Sequence, residues 1–251
     1  MELPSGLIEA LKKARKVLVL TGAGMSAESG VPTFRDAQTG LWSRFRAEDL
    51  ATPEAFKAHP EIVWDWYAER RNRIREVSPH AGHTALVELE QYFESFLLVT
   101  QNVDSLHQRA GSSEVIELHG NIMRFICSET GKPIDDEWIK SHPDRPPVSP
   151  HHARGLARPG VVWFGEQLPA SAMDRAMSEA ANCDVCFSIG TSTLVQPAAY
   201  LPFAALNSGA VVIEINPTRT SLSSDAHFSL QTTAAIALTA IATEMAELTV
   251  Q

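Results

Sequence analysis

The chain has 251 residues, 44% hydrophobic and 20% charged, so it can bury a full core as one large domain with a smaller module attached. Its 30 Asp and Glu against 21 Lys and Arg give a formal net charge of −9, which argues against a nucleic-acid partner and suits basic peptides. Three cysteines cannot build a disulfide framework and fit a cytoplasmic location; no segment nears the roughly 18 apolar residues of a membrane span, and the apolar run 17–20 is too short for a signal peptide.

Along the chain, short apolar and β-branched runs alternate with helical stretches. The runs are VLVLTG (17–22), FLLVTQN (96–102), VIELHG (115–120), VCFSIGT (185–191) and VVIEIN (211–216), with HFSL (227–230) as a sixth strand at an edge. Helical patterns fall at 81–91, 103–110, 170–181 and 197–207. Buried strands spaced by helices predict an α/β fold, a Rossmann-like doubly wound parallel sheet. Two stretches break the rhythm: 37–80, helical and aromatic with Trp42, Trp64, Trp66 and Tyr67, and 121–160, rich in Pro, His, Asp and Lys. The predicted organisation is therefore a nucleotide-binding domain from 1–36, 81–120 and 161–251, and a small domain from the insertions 37–80 and 121–160.

After the first run comes TGAGMSAESGVPTFRD, in which Gly22, Gly24 and Ala27 match G-x-G-x-x-G/A. That turn brings backbone amides and a helix start to a pyrophosphate. No second strand ending in an acidic residue follows at the usual distance of about 20 residues. The loop runs instead into Pro32, Phe34 and Arg35, an apolar shield and a cation. The adenosine ribose needs another partner, and Asn216 at a strand end can supply it. The pattern predicts a dinucleotide site that is not a dehydrogenase.

Ligands of open α/β sheets bind at the carboxyl ends of strands. Four such ends carry polar groups that a plain core would not need: Gln101, Asn102 and Asp104; His119; Gly190, Thr191 and Ser192; and Asn216. Singly each has a structural explanation, Asp104 as a helix cap for instance. Together they predict one site.

These motifs carry a resemblance. GAGMSAESGVPTFR, TQNVDSLHQRAG, LHG, RPGVVWFGE, GTSTLVQP and EIN occur in the order and spacing of the sirtuins, NAD-dependent protein lysine deacylases. The resemblance implies His119 as general base, with Asn102 and Asp104 orienting the nicotinamide ribose and a water. It implies NAD surrounded by Gly22, Ala23, Gly24, Ala27, Phe34, Arg35, Gln101, Asn102, Asp104, Gly190, Thr191, Ser192 and Asn216. VVWFGE would offer a strand to an acyl-lysine peptide, with Val162 and Phe164 lining the lysine tunnel. A monomer is expected. Two other readings compete: an NAD- or ADP-ribose-binding regulatory module, and a mono-ADP-ribosyltransferase sharing the first chemical step.

Many sirtuins hold a structural zinc with two C-x-x-C pairs. Here the aligned positions read Cys127, Thr130, Pro150 and Ala153, so the metal is expected to be absent. The other cysteines, Cys183 and Cys186, are expected on opposite faces of a strand, forming neither a metal site nor a redox pair.

WDWYAERRNRIR lies in a predicted helix, 61–76, with Trp64, Tyr67 and Arg70 along one face. Tyr67 and Arg70 match the Tyr-x-x-Arg motif of the branch that prefers succinyl- and malonyl-lysine, and Ala51 in DLATPEAF leaves room at the tunnel floor. A guanidinium takes a terminal carboxylate by paired charge-assisted hydrogen bonds. Acidic acyl groups are therefore the expected substrates.

Overall fold

The computed structural model describes residues 1–32 and 46–249; Phe34, Arg35 and Trp42 of the sequence reading lie outside them. From the start of the chain come α1 (Leu7–Lys13), β1 (Lys16–Thr21), α2 (Gly24–Ala27), α3 (Ala47–Leu50), α4 (Pro53–Ala58), α5 (Pro60–Glu76) and α6 (Ala81–Glu90). Next are β2 (Ser95–Thr100), α7 (Leu106–Ala110), β3 (Val115–Glu117), β4 (Gly120–Cys127), β5 (Pro133–Ile134), α8 (Asp136–Ser141) and β6 (Ala157–Val161). The chain continues with α9 (Ala170–Asn182), β7 (Val185–Ile189), α10 (Leu201–Asn207), β8 (Val211–Ile215), β9 (Phe228–Leu230) and α11 (Ala234–Thr249).

A six-stranded sheet runs in the order β3-β2-β1-β7-β8-β9, and every neighbouring pair is parallel. Side chains alternate across β1: Val17 and Val19 enter one core and Leu18 and Leu20 the other. On the first face, Leu7 and Leu11 of α1, Leu86 and Leu89 of α6, and Leu238 and Ile241 of α11 cover Phe187 and Ile213. On the second, Ala176 and Ala180 of α9 with Leu201 and Ala205 of α10 cover Cys186 and Val212. Burial on both faces is why these strands read as unbroken apolar runs. Each fully buried Leu contributes about 1.5–3 kcal/mol relative to exposure.

Two expectations about helices need amendment. The stretch predicted as helix 103–110 begins only at Leu106, because Ser105 has φ 62° and Asp104 Oδ1 accepts the Leu106 amide at 2.9 Å. The helix α11, which the pattern reading omitted, packs along α6.

The insertion 121–160 contributes to an antiparallel sheet, β5-β4-β6, that the sequence reading did not foresee. Phe56, Val63, Trp66 and Tyr67 pack with Ile122, Val161 and Trp163 to form its core with α4 and α5. Arg71 reaches under the same sheet: Nη1 donates to the Ile122 carbonyl at 2.9 Å, and the guanidinium lies 4.3 Å from the Phe125 ring centroid. Burial lowers its pKa to about 10, which still leaves it charged at neutral pH.

The expected opposition of Cys183 and Cys186 does not hold. Asp184 is a bend and β7 starts only at Val185, so Cys183 caps α9 instead of sharing the strand's alternation. Both side chains enter the same core, with Cys183 Sγ donating to the Ala180 carbonyl at 3.6 Å and Cys186 Sγ to the Phe187 carbonyl at 3.8 Å. The neighbouring thiol lowers the Cys183 pKa and, together with burial, pushes that of Cys186 well up.

At the degenerate zinc positions, Cys127 is buried, and Thr130 and Ser149 hydrogen-bond to its thiol. Burial alone would raise that thiol; the hydroxyl bonds hold it below its ordinary value. His151 gives its Nε2 to the Pro133 carbonyl at 2.6 Å. Among the described residues no group of three or more His, Cys, Asp or Glu could hold a metal ion. Elemental analysis of the purified protein should therefore find no stoichiometric zinc, and a chelator should leave its melting temperature unchanged. One zinc per chain would contradict this assignment.

Candidate active site

The parallel sheet delivers five strand ends to one edge. Gly22 follows β1, Gln101 follows β2, His119 lies two residues beyond β3, Gly190 follows β7 and Asn216 follows β8. The glycine loop closes on the β7 tip: Gly22 donates to the Ile189 carbonyl at 2.9 Å and Gly24 to the Gly190 carbonyl at 2.8 Å. Gly190 has φ 60°, and a Cβ there would fall 2.3 Å from the Met25 nitrogen. A Cβ on Gly24 would fall 2.7 Å from the Gly190 Cα, so the contact admits no side chain on either partner.

The polar residues of the other tips are tied to this clasp. Asn102 Nδ2 donates to the Gly22 carbonyl at 3.0 Å and to Ser26 Oγ at 3.1 Å. Ser26 Oγ in turn donates to Asp104 Oδ2 at 2.7 Å. Gln101 Nε2 donates to Thr191 Oγ1 at 3.1 Å, and Asn216 Nδ2 to the Thr191 carbonyl at 2.9 Å. Ala23 caps α2, Ala27 ends it, and the Ser192 carbonyl accepts from Thr193 Oγ1 at 2.8 Å. Burial pushes the Asp104 carboxyl up, against the bonds from Leu106 and Ser26.

His119 is oriented by backbone. Its Nδ1 lies 2.9 Å from the Gln101 carbonyl. A carbonyl can only accept, so Nδ1 carries the proton and Nε2 presents its lone pair. Burial lowers the ring's pKa from 6.5, against the Gln101 bond, so the free-base form prevails at neutral pH.

The acyl-pocket candidates converge from other elements. Tyr67 and Arg70 share one face of α5; the Tyr67 hydroxyl accepts from Trp163 Nε1 at 3.0 Å, and Arg70 lies 4.9 Å from the Trp66 ring centroid. Arg70 borders a cavity with Val31 and Pro32, beyond the glycine loop. The Ala51 carbonyl accepts the Phe164 amide, and the His119 carbonyl accepts the Val162 amide, both at 2.9 Å. The expected strand at VVWFGE ends at Val161, because 162–166 forms a turn anchored by those two bonds. Phe164 is exposed.

Several residues of this site escaped the sequence reading. Ser26 joins Asn102 to Asp104, and nothing about a serine inside a glycine loop announces that bridge. Arg158 grips both oxygens of Glu166 at 2.8 Å, and Glu166 Oε2 accepts the Trp163 amide at 2.8 Å. RPGVVWFGE contains both charges, eight residues apart, but spacing alone does not reveal a pair across a turn.

The model of the Sir2 family matches residues 22–197 of the chain. An NAD-dependent protein deacylase of Deinococcus radiodurans is 50% identical over 233 residues, 90% of this chain and 92% of the relative. A protein of the same name from Aquifex aeolicus is 50% identical over 84% of this chain and 88% of its own. Among solved structures, a Sir2 homolog in complex with NAD superposes with a TM-score of 0.90 at 41% identity, covering 98% of this chain and 95% of that one. A Sir2–p53 peptide–NAD+ complex gives 0.85 at 29% identity, covering 97% and 98%. The chain belongs to the Sir2 family, the sirtuins.

Behind the glycine loop, the buried His83 and His107 and the half-buried His80 pack ring against ring. His80 Nδ1 accepts the Gly82 amide at 2.9 Å, so its Nε2 proton goes to the Met25 carbonyl at 2.6 Å. His83 lies 4.3 Å from His80 and 5.0 Å from His107 between ring centroids, and His107 Nε2 meets Thr21 Oγ1 at 3.0 Å. Burial, then neighbouring histidines, lowers the pKa of His83 to about 2 and that of His107 to about 3. Both are neutral when folded and titrate near 6.5 when unfolded, so between those values the unfolded chain binds the extra protons. Stability should therefore fall with pH below about 6.5, by up to about 1.4 kcal/mol per unit for each ring. Melting temperatures between pH 7.5 and 5 should drop, and less steeply in His83→Gln. An unchanged slope in that variant would contradict the assignment.

Proposed function

We propose that the chain is an NAD-dependent protein lysine deacylase whose general base is His119, and the observation that carries this is the backbone-fixed tautomer of that ring. Its Nε2 lone pair stands at the strand edge where Asn102, Asp104, Thr191 and Asn216 converge on the glycine loop.

The donor set fits a dinucleotide. Among the described residues 22–26, the amides of Gly22 and Gly24 bond to the β7 tip and those of Met25 and Ser26 bond within the loop, leaving the Ala23 amide outside that set. Gly22, Ala23, Gly24 and Ala27 would take the pyrophosphate; Thr191, Ser192 and Asn216 the adenosine half; Gln101, Asn102 and Asp104 the nicotinamide ribose; Phe34 and Arg35 are assigned by family resemblance. When bound, NAD would supply the ribosyl group to which the acyl group passes; with one water consumed, the products are nicotinamide, O-acyl-ADP-ribose and free lysine. His119 takes a hydroxyl proton on Nε2, and the Gln101 carbonyl stabilises the resulting imidazolium through Nδ1–H. Asp104, held by Ser26 and the Leu106 amide, orients Asn102 through their shared serine.

The acyl group is proposed to be succinyl or malonyl in preference to acetyl. Arg70 is the cation that acts most on the buried Tyr67 phenol, and burial lowers its own pKa. A desolvated guanidinium beside a phenol suits a terminal carboxylate better than a methyl group. Ala51 keeps the adjoining wall small. Val162 and Phe164 are assigned to the lysine tunnel and its mouth, with acyl-lysine peptides as substrates. A monomeric, cytoplasmic enzyme is the reading supported by three free, buried cysteines. No helix among the described residues is long and apolar enough to cross a membrane.

His119→Ala should reduce deacylation by about 10²–10⁴-fold while leaving the circular dichroism spectrum unchanged. Near-normal turnover would remove the assignment of the base. Arg70→Met should lose about 10- to 150-fold in desuccinylation and keep or gain deacetylation, measured on one peptide carrying either group. A wild type that favours acetyl-lysine, or a variant with unchanged preference, would contradict the acidic-acyl pocket.

A further inference from the structure

Trp163 sits on the turn after β6, 3% exposed, and is held from every side. Its amide is bound by Glu166 Oε2 at 2.8 Å, and the Arg158 guanidinium lies 3.8 Å from its ring centroid. Arg158 also donates to the Val161 carbonyl at 3.2 Å, so one ion pair fixes both the backbone and the ring of this tryptophan. Phe56 packs against the indole with centroids 5.3 Å apart. Apolar filling would not require such a frame. What the frame aims is the indole N–H, which donates to the Tyr67 hydroxyl at 3.0 Å.

A phenol both accepts and donates. Having accepted from Trp163, the Tyr67 oxygen has its own proton left to give. Burial raises the phenol's pKa, so that proton is retained at working pH.

We infer that Trp163 is a positioning residue for acyl selectivity: its N–H sets the rotation of the Tyr67 hydroxyl so that the phenol donates to the carboxylate of an acidic acyl group. The ion pair Arg158–Glu166 holds the indole in that role. This rests on the reading of Tyr67 and Arg70 as the acyl pocket. It also links substrate strand to acyl recognition, because the turn that carries Trp163 carries Val162 and Phe164 on either side.

The test uses two peptides of one sequence, bearing succinyl-lysine or acetyl-lysine, and the full chain. Turnover gives kcat/KM for each peptide, and calorimetry without NAD gives each peptide's affinity. Trp163→Phe keeps an aromatic ring in place and removes the N–H together with part of the indole's volume. The succinyl-to-acetyl ratio should fall about 2- to 12-fold, the span of one neutral hydrogen bond, in both measurements. Tyr67→Phe should lower the ratio at least as far, and the double variant no further than Tyr67→Phe alone. An equal loss on both peptides in Trp163→Phe, or additive effects in the double variant, would reduce Trp163 to a structural residue and overturn the inference. A ratio lost in Tyr67→Phe and retained in Trp163→Phe would overturn it alone. A wild type without succinyl preference would remove the pocket reading beneath it.

Discussion

The backbones of Gly24 and Gly190 touch, and the site is assembled around that contact. β1 and β7 are parallel neighbours in register from Val17 opposite Val185 to Thr21 opposite Ile189, so their tips arrive side by side. The loop after one can close on the tip of the other only where neither carries a Cβ. Once closed, the Gly22 carbonyl holds Asn102, Thr191 holds Gln101 and Asn216, and the Gln101 carbonyl holds His119. Hydrogen bonds thus tie the glycine loop to the strand ends that hold His119. Their members belong to different strands, so the sheet's register, not any local loop, sets the position of His119 relative to the glycine turn.

The buried histidines reinforce the same loop from behind. His80 holds the Met25 carbonyl, and His107 anchors Thr21 at the last residue of β1. Burial keeps His83 and His107 neutral in this place, so neither carries charge into a desolvated core. The arrangement supports the site at neutral pH and loses ground in acid.

The sheet was legible from sequence because both its faces are covered, which leaves continuous apolar runs at β1, β2, β7 and β8. The polar strand ends were legible because Asn, Asp and His recur together where apolar runs stop, although each alone has a structural explanation. The second sheet was hidden by its own chemistry. β6 reads ARPGV, with Pro and Gly that discourage a strand assignment; β5 has two residues; β4 breaks register between Asn121 and Phe125. α11 carries a helical stripe, Ala237, Leu238, Ile241, Ala242 and Met245, that packs into the first core. For Cys183 and Cys186 the alternation rule was applied one bend too early. Tyr67 and Trp163 meet across 96 positions of sequence, and only tertiary structure brings the indole to the phenol.

The small sheet is held by ordinary contacts. Trp64, Phe125, Ile134 and Ala157 close a core around the Cys127 thiol. Val161 and Trp163 pack against Val63, Trp66 and Tyr67 of α5 beside it. Deacylation itself is tested most directly by mass spectrometry of the products formed from NAD and one acyl-lysine peptide. The expected result is free lysine, nicotinamide and O-acyl-ADP-ribose in equal amounts; an intact acyl-lysine with ADP-ribose attached to protein, or no turnover at all, would contradict the account.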